Sequence, residues 1–405
     1  MLARLSKQLE SYLSRVFNSH IEIDRLDVLT AAKRRNRIIR IYLKNTKDGF
    51  PQSLIVKQAA GKNHNPKDNS SQDTINQFND WAGAEFLSGF FKADGERITP
   101  EFYGGNHDLG YIMADLGTHK SIITYNGEDV EIDSNLVGPL FGESAKNAKA
   151  SLLAWIECIA QMHTLSIGRE KDYEKVRNRL GRCDKNSRVI RADWFRDHIE
   201  VIRKVCDDIE FKPEVHFYDE LQTLLTTIEN PGPLLAYTHG DPCPNNCVIS
   251  AGKIYLIDFE RGGYQHALFD AIYPRIAFPS CGWCRTLPES IVHDLELAYR
   301  TQLINGCPQA ADEAIFQRGI VDACAFWTMM VFRSLPKVMQ EDQDWGIATL
   351  RQRCLARLEI MAAVDNEYNH LPALTVTSAK LASRLRQLWP ETVSLSHYPA
   401  FIDRP

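Results

Sequence analysis

Residues 234–260, LLAYTHGDPCPNNCVISAGKIYLIDFE, decide the reading of the chain. Leu234, Leu235 and Tyr237 lead as a strand into His239-Gly240-Asp241, and Asn246 stands five positions after the aspartate. A short apolar run, Asn246-Cys247-Val248-Ile249, is followed by Ala251-Gly252 as a hairpin turn and by a return strand with Ile254, Leu256 and Ile257. The return strand ends in Asp258-Phe259-Glu260. One hairpin would thus gather Asp241, Asn246 and Asp258, three oxygen-bearing side chains, at its two mouths. Either tripeptide alone reads as an ordinary turn or strand ending; in order, a hairpin apart, they form a specific signal.

Phosphoryl transfer from ATP needs an aspartate beside the attacking hydroxyl, and oxygen ligands for the magnesium ions that neutralise the triphosphate. The spacing H-x-D-x-x-x-x-N, then a strand and D-F, resembles that of protein-kinase-like enzymes. Gly240, Pro244 and Glu260 in place of the glycine of D-F-G make the stretch similar, more narrowly, to the aminoglycoside phosphotransferase and choline kinase superfamily. The resemblance implies an α+β, bilobal protein-kinase-like fold: a nucleotide-binding lobe of sheet plus helix over 1–115, and a mainly helical catalytic and acceptor-binding lobe over 116–405. It implies ATP and Mg2+, with Asp241 orienting and deprotonating the acceptor hydroxyl and Asn246 and Asp258 holding the metal. His239 is expected to be a structural turn residue, and Asp270 to accept hydrogen bonds from the backbone of the catalytic loop.

Upstream, Leu2, Leu5, Leu9, Leu13 and Val16 recur at helical spacing. IEIDRLDVL, IIRIYLK and SLIVKQ then read as three antiparallel strands, with Lys57 at the end of the third. In kinases that place holds the lysine on the α- and β-phosphates. The first turn departs from the pattern: Thr30 to Asn36 contain no glycine, so the resemblance leaves phosphate contact to Thr30, the backbone and Lys33-Arg34-Arg35, or leaves that basic run a solvated turn. Asn36 resembles the asparagine that follows this loop in aminoglycoside kinases. Residues 60–78 read as a polar loop, followed by a helix from about Asn79 to Phe91 on which Glu85 is the expected partner of Lys57. TPEFYGG and GYIMADLG give two more strands; Met113 and Asp115 fall where the family's linker meets adenine.

Beyond this boundary the pattern is read as helical throughout: 144–168, 193–207, 214–228, 288–304, 311–335, 344–363 and 376–388, with 170–190 as a charged loop. His163 reads as packed rather than catalytic. Trp283, Trp327 and Trp345 with the acidic Glu341-Asp342-Gln343-Asp344 offer an ammonium cage or, more simply, core aromatics and a solvated loop.

A net charge of −5 argues against a general nucleic-acid binder. The N-terminus lacks the apolar core of a signal peptide and no run approaches a membrane span, so the expected setting is cytoplasmic, without a membrane partner, as monomer or homodimer. Ten cysteines scattered over 405 residues favour reduced thiols. Cys243, Cys247, Cys281 and Cys284 leave a zinc knuckle or small buried thiols open. The expected partner is a small-molecule hydroxyl acceptor: an aminoglycoside, an amino alcohol, a sugar or a secondary metabolite. The rivals are a peptide Ser/Thr acceptor and a nucleotide-binding scaffold without turnover.

Overall fold

In the computed structural model the β-rich runs near the N-terminus form strands whose Ile39, Ile41, Leu54 and Val56 share a core with the N-terminal helix. Residues 2–30, 35–44, 49–60, 71–92, 94–117, 120–125, 127–181 and 192–402 are described. The chain divides into two units: 1–119 with 169–187 and 248–263, and 120–168 with 188–247 and 264–405.

In the first unit, helix α1 (Leu2–Val16) precedes strands β1 (Ile23–Val28), β2 (Asn36–Leu43) and β3 (Ser53–Ala59); helix α2 (Gln72–Leu87) and strands β4 (Phe102–Asn106) and β5 (Gly110–Ala114) follow. The strands form one antiparallel sheet in the order β1-β2-β3-β5-β4, two strands larger than the three-strand opening read from residues 21–58. Leu5, Leu9 and Leu13 of α1 pack on Ile39, Ile41, Leu54, Val56 and Ile112 as its core. Helix α2 starts at Gln72, about two turns before the expected Asn79. Polar residues caused the difference: Thr74 and Gln77, read as loop, lie on its buried side. Glu170–Leu180, read as loop, is a helix of this unit that buries Tyr173, Arg177 and Leu180. The Cys247–Ser250 and Lys253–Leu256 strands form the predicted hairpin, with Ala251 and Gly252 both left-handed (φ 50° and 76°) as a type I′ turn demands.

The second unit is mainly helical, built from Ala145–Ser166, Ala192–Asp208, Phe217–Glu229, Glu289–Leu303, Glu313–Met329, Val331–Gln340, Leu350–Tyr368 and Pro372–Leu388. It also holds an antiparallel hairpin, Lys120–Tyr125 with Glu128–Asp133, where helix was expected to follow at once. The Leu235–Thr238 strand pairs with Gly263–His266 and runs into the His239-Gly240-Asp241 turn. Glu313–Gln340, 28 residues with mean hydropathy 1.2 in its most apolar stretch, is long and apolar enough to cross a membrane by length and composition, contrary to the sequence reading; 72% of that stretch is buried, as in a core helix.

Candidate active site

In the first unit the site grows from β3. Lys57 sits in register with Ile38 on one side and Tyr111 on the other. Gly110 makes room for this pairing, since a Cβ there would stand 2.1 Å from the Lys57 carbonyl oxygen. The buried Lys57 Nζ lies 2.6 Å from Asp258 Oδ1 and 2.6 Å from Asp80 Oδ2. Burial opposes the ammonium charge, but the Asp258 and Asp80 carboxylates outweigh it and hold the amine well above the ordinary lysine range. Lys57 therefore stays a cation.

The helix carboxylate that meets Lys57 is Asp80, which corrects the expected Glu85. Glu85 instead accepts from Trp81 Nε1 at 3.2 Å and pairs with Arg179. Asp80 also accepts from Tyr111 Oη at 2.9 Å and from the Phe259 amide at 2.8 Å, so one side chain ties β3, α2, β5 and the D-F-E turn together. Burial raises its pKa, with Lys57 opposing. Asp258 is left-handed (φ 70°) with its side chain 36% exposed, a non-glycine strain of roughly 1–2 kcal/mol. Glu260 pairs with Arg35 at 2.9 Å; burial and then Asp258 push its pKa up, against Arg35.

The other expected nucleotide residues take local partners. Thr30 Oγ accepts from the Ile38 amide at 3.1 Å, closing the turn it begins. Lys33 and Arg34 lie outside the described residues, and Asn36 opens β2 in register with Ala59. Met113 is half-buried on β5. The Asp115 carboxylate is engaged by Arg40 (Nε 2.6 Å), Ser53 Oγ (2.7 Å) and the Gly117 amide (3.0 Å), so it locks the end of the sheet.

In the second unit, Asp270 accepts from the amides of His239 (2.6 Å) and Gly240 (3.0 Å). Those two bonds fix the turn that carries Asp241, with Gly240 at φ 74°. His163, fully buried, lies 3.3 Å from Asp270 Oδ2 through Nε2 and 2.8 Å from Tyr299 Oη through Nδ1, packed as read. His239 is buried as a turn residue. Asn246 Nδ2 donates to the Asp241 carbonyl at 2.8 Å, and its Oδ1 accepts from Asn245 at 3.0 Å.

Asp241 Oδ1 accepts from Cys243 Sγ at 2.9 Å and from Ser280 Oγ. Burial, then Cys281 and Asp241, hold the Cys243 thiol well above the usual range, so it stays a protonated donor. Cys247, Cys281 and Cys284 are buried thiols too, and among the described residues no group of three or more His, Cys, Asp or Glu is placed to hold a metal ion. Sequence reasoning missed Asp80 and Ser280; the signal for Asp80 was a carboxylate in the buried stripe of α2, which needs a partner, while Ser280 carried none.

The family model described as the phosphotransferase enzyme family matches residues 136–311, which include Asp241, Asn246, Asp258 and Asp270. This part of the chain is similar to that family. Solved structures similar to the whole chain include a choline/ethanolamine kinase family protein from Mesorhizobium loti, at 16% identity over 92% of this chain and 99% of that one, with a TM-score of 0.45. A Plasmodium vivax ethanolamine kinase matches at 11% identity over 85% and 84%, with a TM-score of 0.45. A macrolide 2′-phosphotransferase from Brachybacterium faecium matches at 11% identity over 82% and 93%, with a TM-score of 0.43. No curated protein matches the sequence.

Proposed function

We propose that this protein is a phosphotransferase that moves the γ-phosphate of ATP to a hydroxyl of a small molecule, an aminoglycoside, amino alcohol, sugar or secondary metabolite. The observation that carries the reading is the buried Lys57 ammonium held between Asp80 and the Asp258 of D-F-E. A cation so placed supports alignment of the α- and β-phosphates, while Asp241, on a turn fixed by Asp270, orients the acceptor hydroxyl and takes its proton. The hard oxygens of Asp258 and Asn246 are of the kind that suits magnesium, which when bound would offset phosphate charge. Catalysis then rests on positioning and charge neutralisation.

The test is ADP release from ATP across a panel of kanamycin, choline, ethanolamine and glucose, with Asp241→Asn beside the wild type. Acceptor-dependent ADP release that Asp241→Asn abolishes is the expected result. ATP bound without any acceptor-dependent release would assign the protein to the non-catalytic scaffolds instead.

A further inference from the structure

Residues 277–281 are anchored from both sides. Ala277 and Phe278 are both left-handed (φ 55° and 49°) although neither is glycine, and the Phe278 amide donates to the Tyr273 carbonyl at 2.7 Å. Two successive residues in that region persist only where the surroundings over-determine them. Two arginines of the Leu350–Tyr368 helix supply that. Arg357 Nη2 donates to the Pro279 carbonyl, and Arg353 Nη2, on a side chain 3% exposed, donates to the Cys281 carbonyl at 2.6 Å.

Among the described residues neither guanidinium pairs with a carboxylate; both hold backbone oxygens, Arg357 that of Pro279 and Arg353 those of Cys281 and, at 2.8 Å, Trp345. The Tyr273 hydroxyl is 3.1 Å from Ser280 Oγ and donates to the Gly240 carbonyl at 3.2 Å, joining the braced segment to the Asp241 turn. What all this presents is one hydroxyl, Ser280 Oγ, donating to Asp241 Oδ1. Cys243 adds a second donor to the same oxygen, and no hydrogen bond to Asp241 Oδ2 forms among the described residues.

We infer that Ser280 is a positioning residue for phosphoryl transfer: it fixes the Asp241 carboxylate through Oδ1 and leaves Oδ2 to take the acceptor's proton. The inference rests on the phosphotransferase reading. In the step, the acceptor oxygen forms a bond to the γ-phosphorus as the bond to the β,γ-bridging oxygen breaks. ADP leaves with that electron pair, and the hydroxyl proton passes to Oδ2. Without Ser280 only the weaker Cys243 thiol donor holds Oδ1, the carboxylate turns more readily about its χ2 torsion, and the reactive geometry is populated less.

The experiment compares wild type, Ser280→Ala and Ser280→Thr in steady-state kinetics, with ATP varied and the panel acceptor that the wild type turns over best. Ser280→Ala should lose roughly tenfold to a hundredfold in kcat while its KM for ATP stays within about twofold, the split expected when only reacting geometry is lost. Ser280→Thr, which keeps the hydroxyl, should regain most of the rate. If Ser280→Ala does not fold, Ser280→Cys, a weaker donor, replaces it with a smaller loss in the same direction. An unchanged kcat in Ser280→Ala, or a loss that Ser280→Thr does not repair, overturns the positioning role alone. A wild type that releases no ADP with any acceptor overturns the parent reading and this one together.

Discussion

Replacing Asp80 by asparagine separates the partner that the structure gives Lys57 from the one that element order suggests. Asp80 serves three donors: Lys57 Nζ at 2.6 Å, Tyr111 Oη at 2.9 Å and the Phe259 amide at 2.8 Å. Asparagine keeps the shape but removes the charge, and its NH2 must face one of those donors. A buried ammonium then loses one of its two carboxylates, which costs about 3–5 kcal/mol when a buried pair is broken outright. Asp258 remains beside Lys57 and its side chain is 36% open to water, so we expect the lower part of that range, about 3 kcal/mol. Glu85→Gln removes only the pair with Arg179, whose side chain is 60% exposed, and keeps an acceptor for Trp81; it should cost less than about 0.5 kcal/mol. Urea unfolding gives the stabilities, and initial rates with ATP varied give the catalytic cost, expected for Asp80→Asn and absent for Glu85→Gln. Equal losses in the two variants would refute the assignment of Asp80.

Three further outcomes are expected. Burial lowers the pKa of His266 to about 4, so the native state excludes a proton that the unfolded chain binds below about 6.5. That contribution is whole above the unfolded value and drains as pH falls toward 4, amounting to about 2 kcal/mol at pH 5; urea curves of wild type and His266→Gln at pH 7 and pH 5 should diverge by that much, and parallel curves would contradict it. Ala251 is left-handed in the 247–256 hairpin, so Ala251→Gly should stabilise by roughly 0.5–1 kcal/mol in thermal melts, and a loss of stability would exclude the turn geometry. Asp241→Asn should cost roughly a thousandfold in kcat while ATP binding by calorimetry stays close to wild type; equal loss of binding would place the residue in the nucleotide site instead.

The sheet was legible because short runs rich in β-branched and aliphatic residues such as IIRIYL and SLIVK, bounded by polar turns, read as strands, and the loop because its polar residues follow a fixed spacing. The hairpin at 120–133 was overlooked although Gly127 stands at φ 82°; its strands are mostly exposed, Ile122 among them at 72%, so they lack the apolar weight that made the first sheet visible. Glu170–Leu180 hid for a related reason, burying three of its residues under a mostly charged face. Asp80 was missed because it was read against the helix glutamate of kinases rather than against burial: a charge on the inner stripe of a helix announces a partner, and Lys57 is that partner. Ser280 owes its place to arginines some 70 residues away, which no local pattern encodes.

The two main-chain bonds into Asp270 carry a consequence for descent with modification. Because the grip on residues 239 and 240 is exerted through amides, it makes no demand on the side chain at 241, although the buried His239 and the left-handed Gly240 are themselves constrained. Drift at position 241 can therefore silence or retune the chemistry while the scaffold around it survives, and a lineage can lose turnover and later regain it by a single codon.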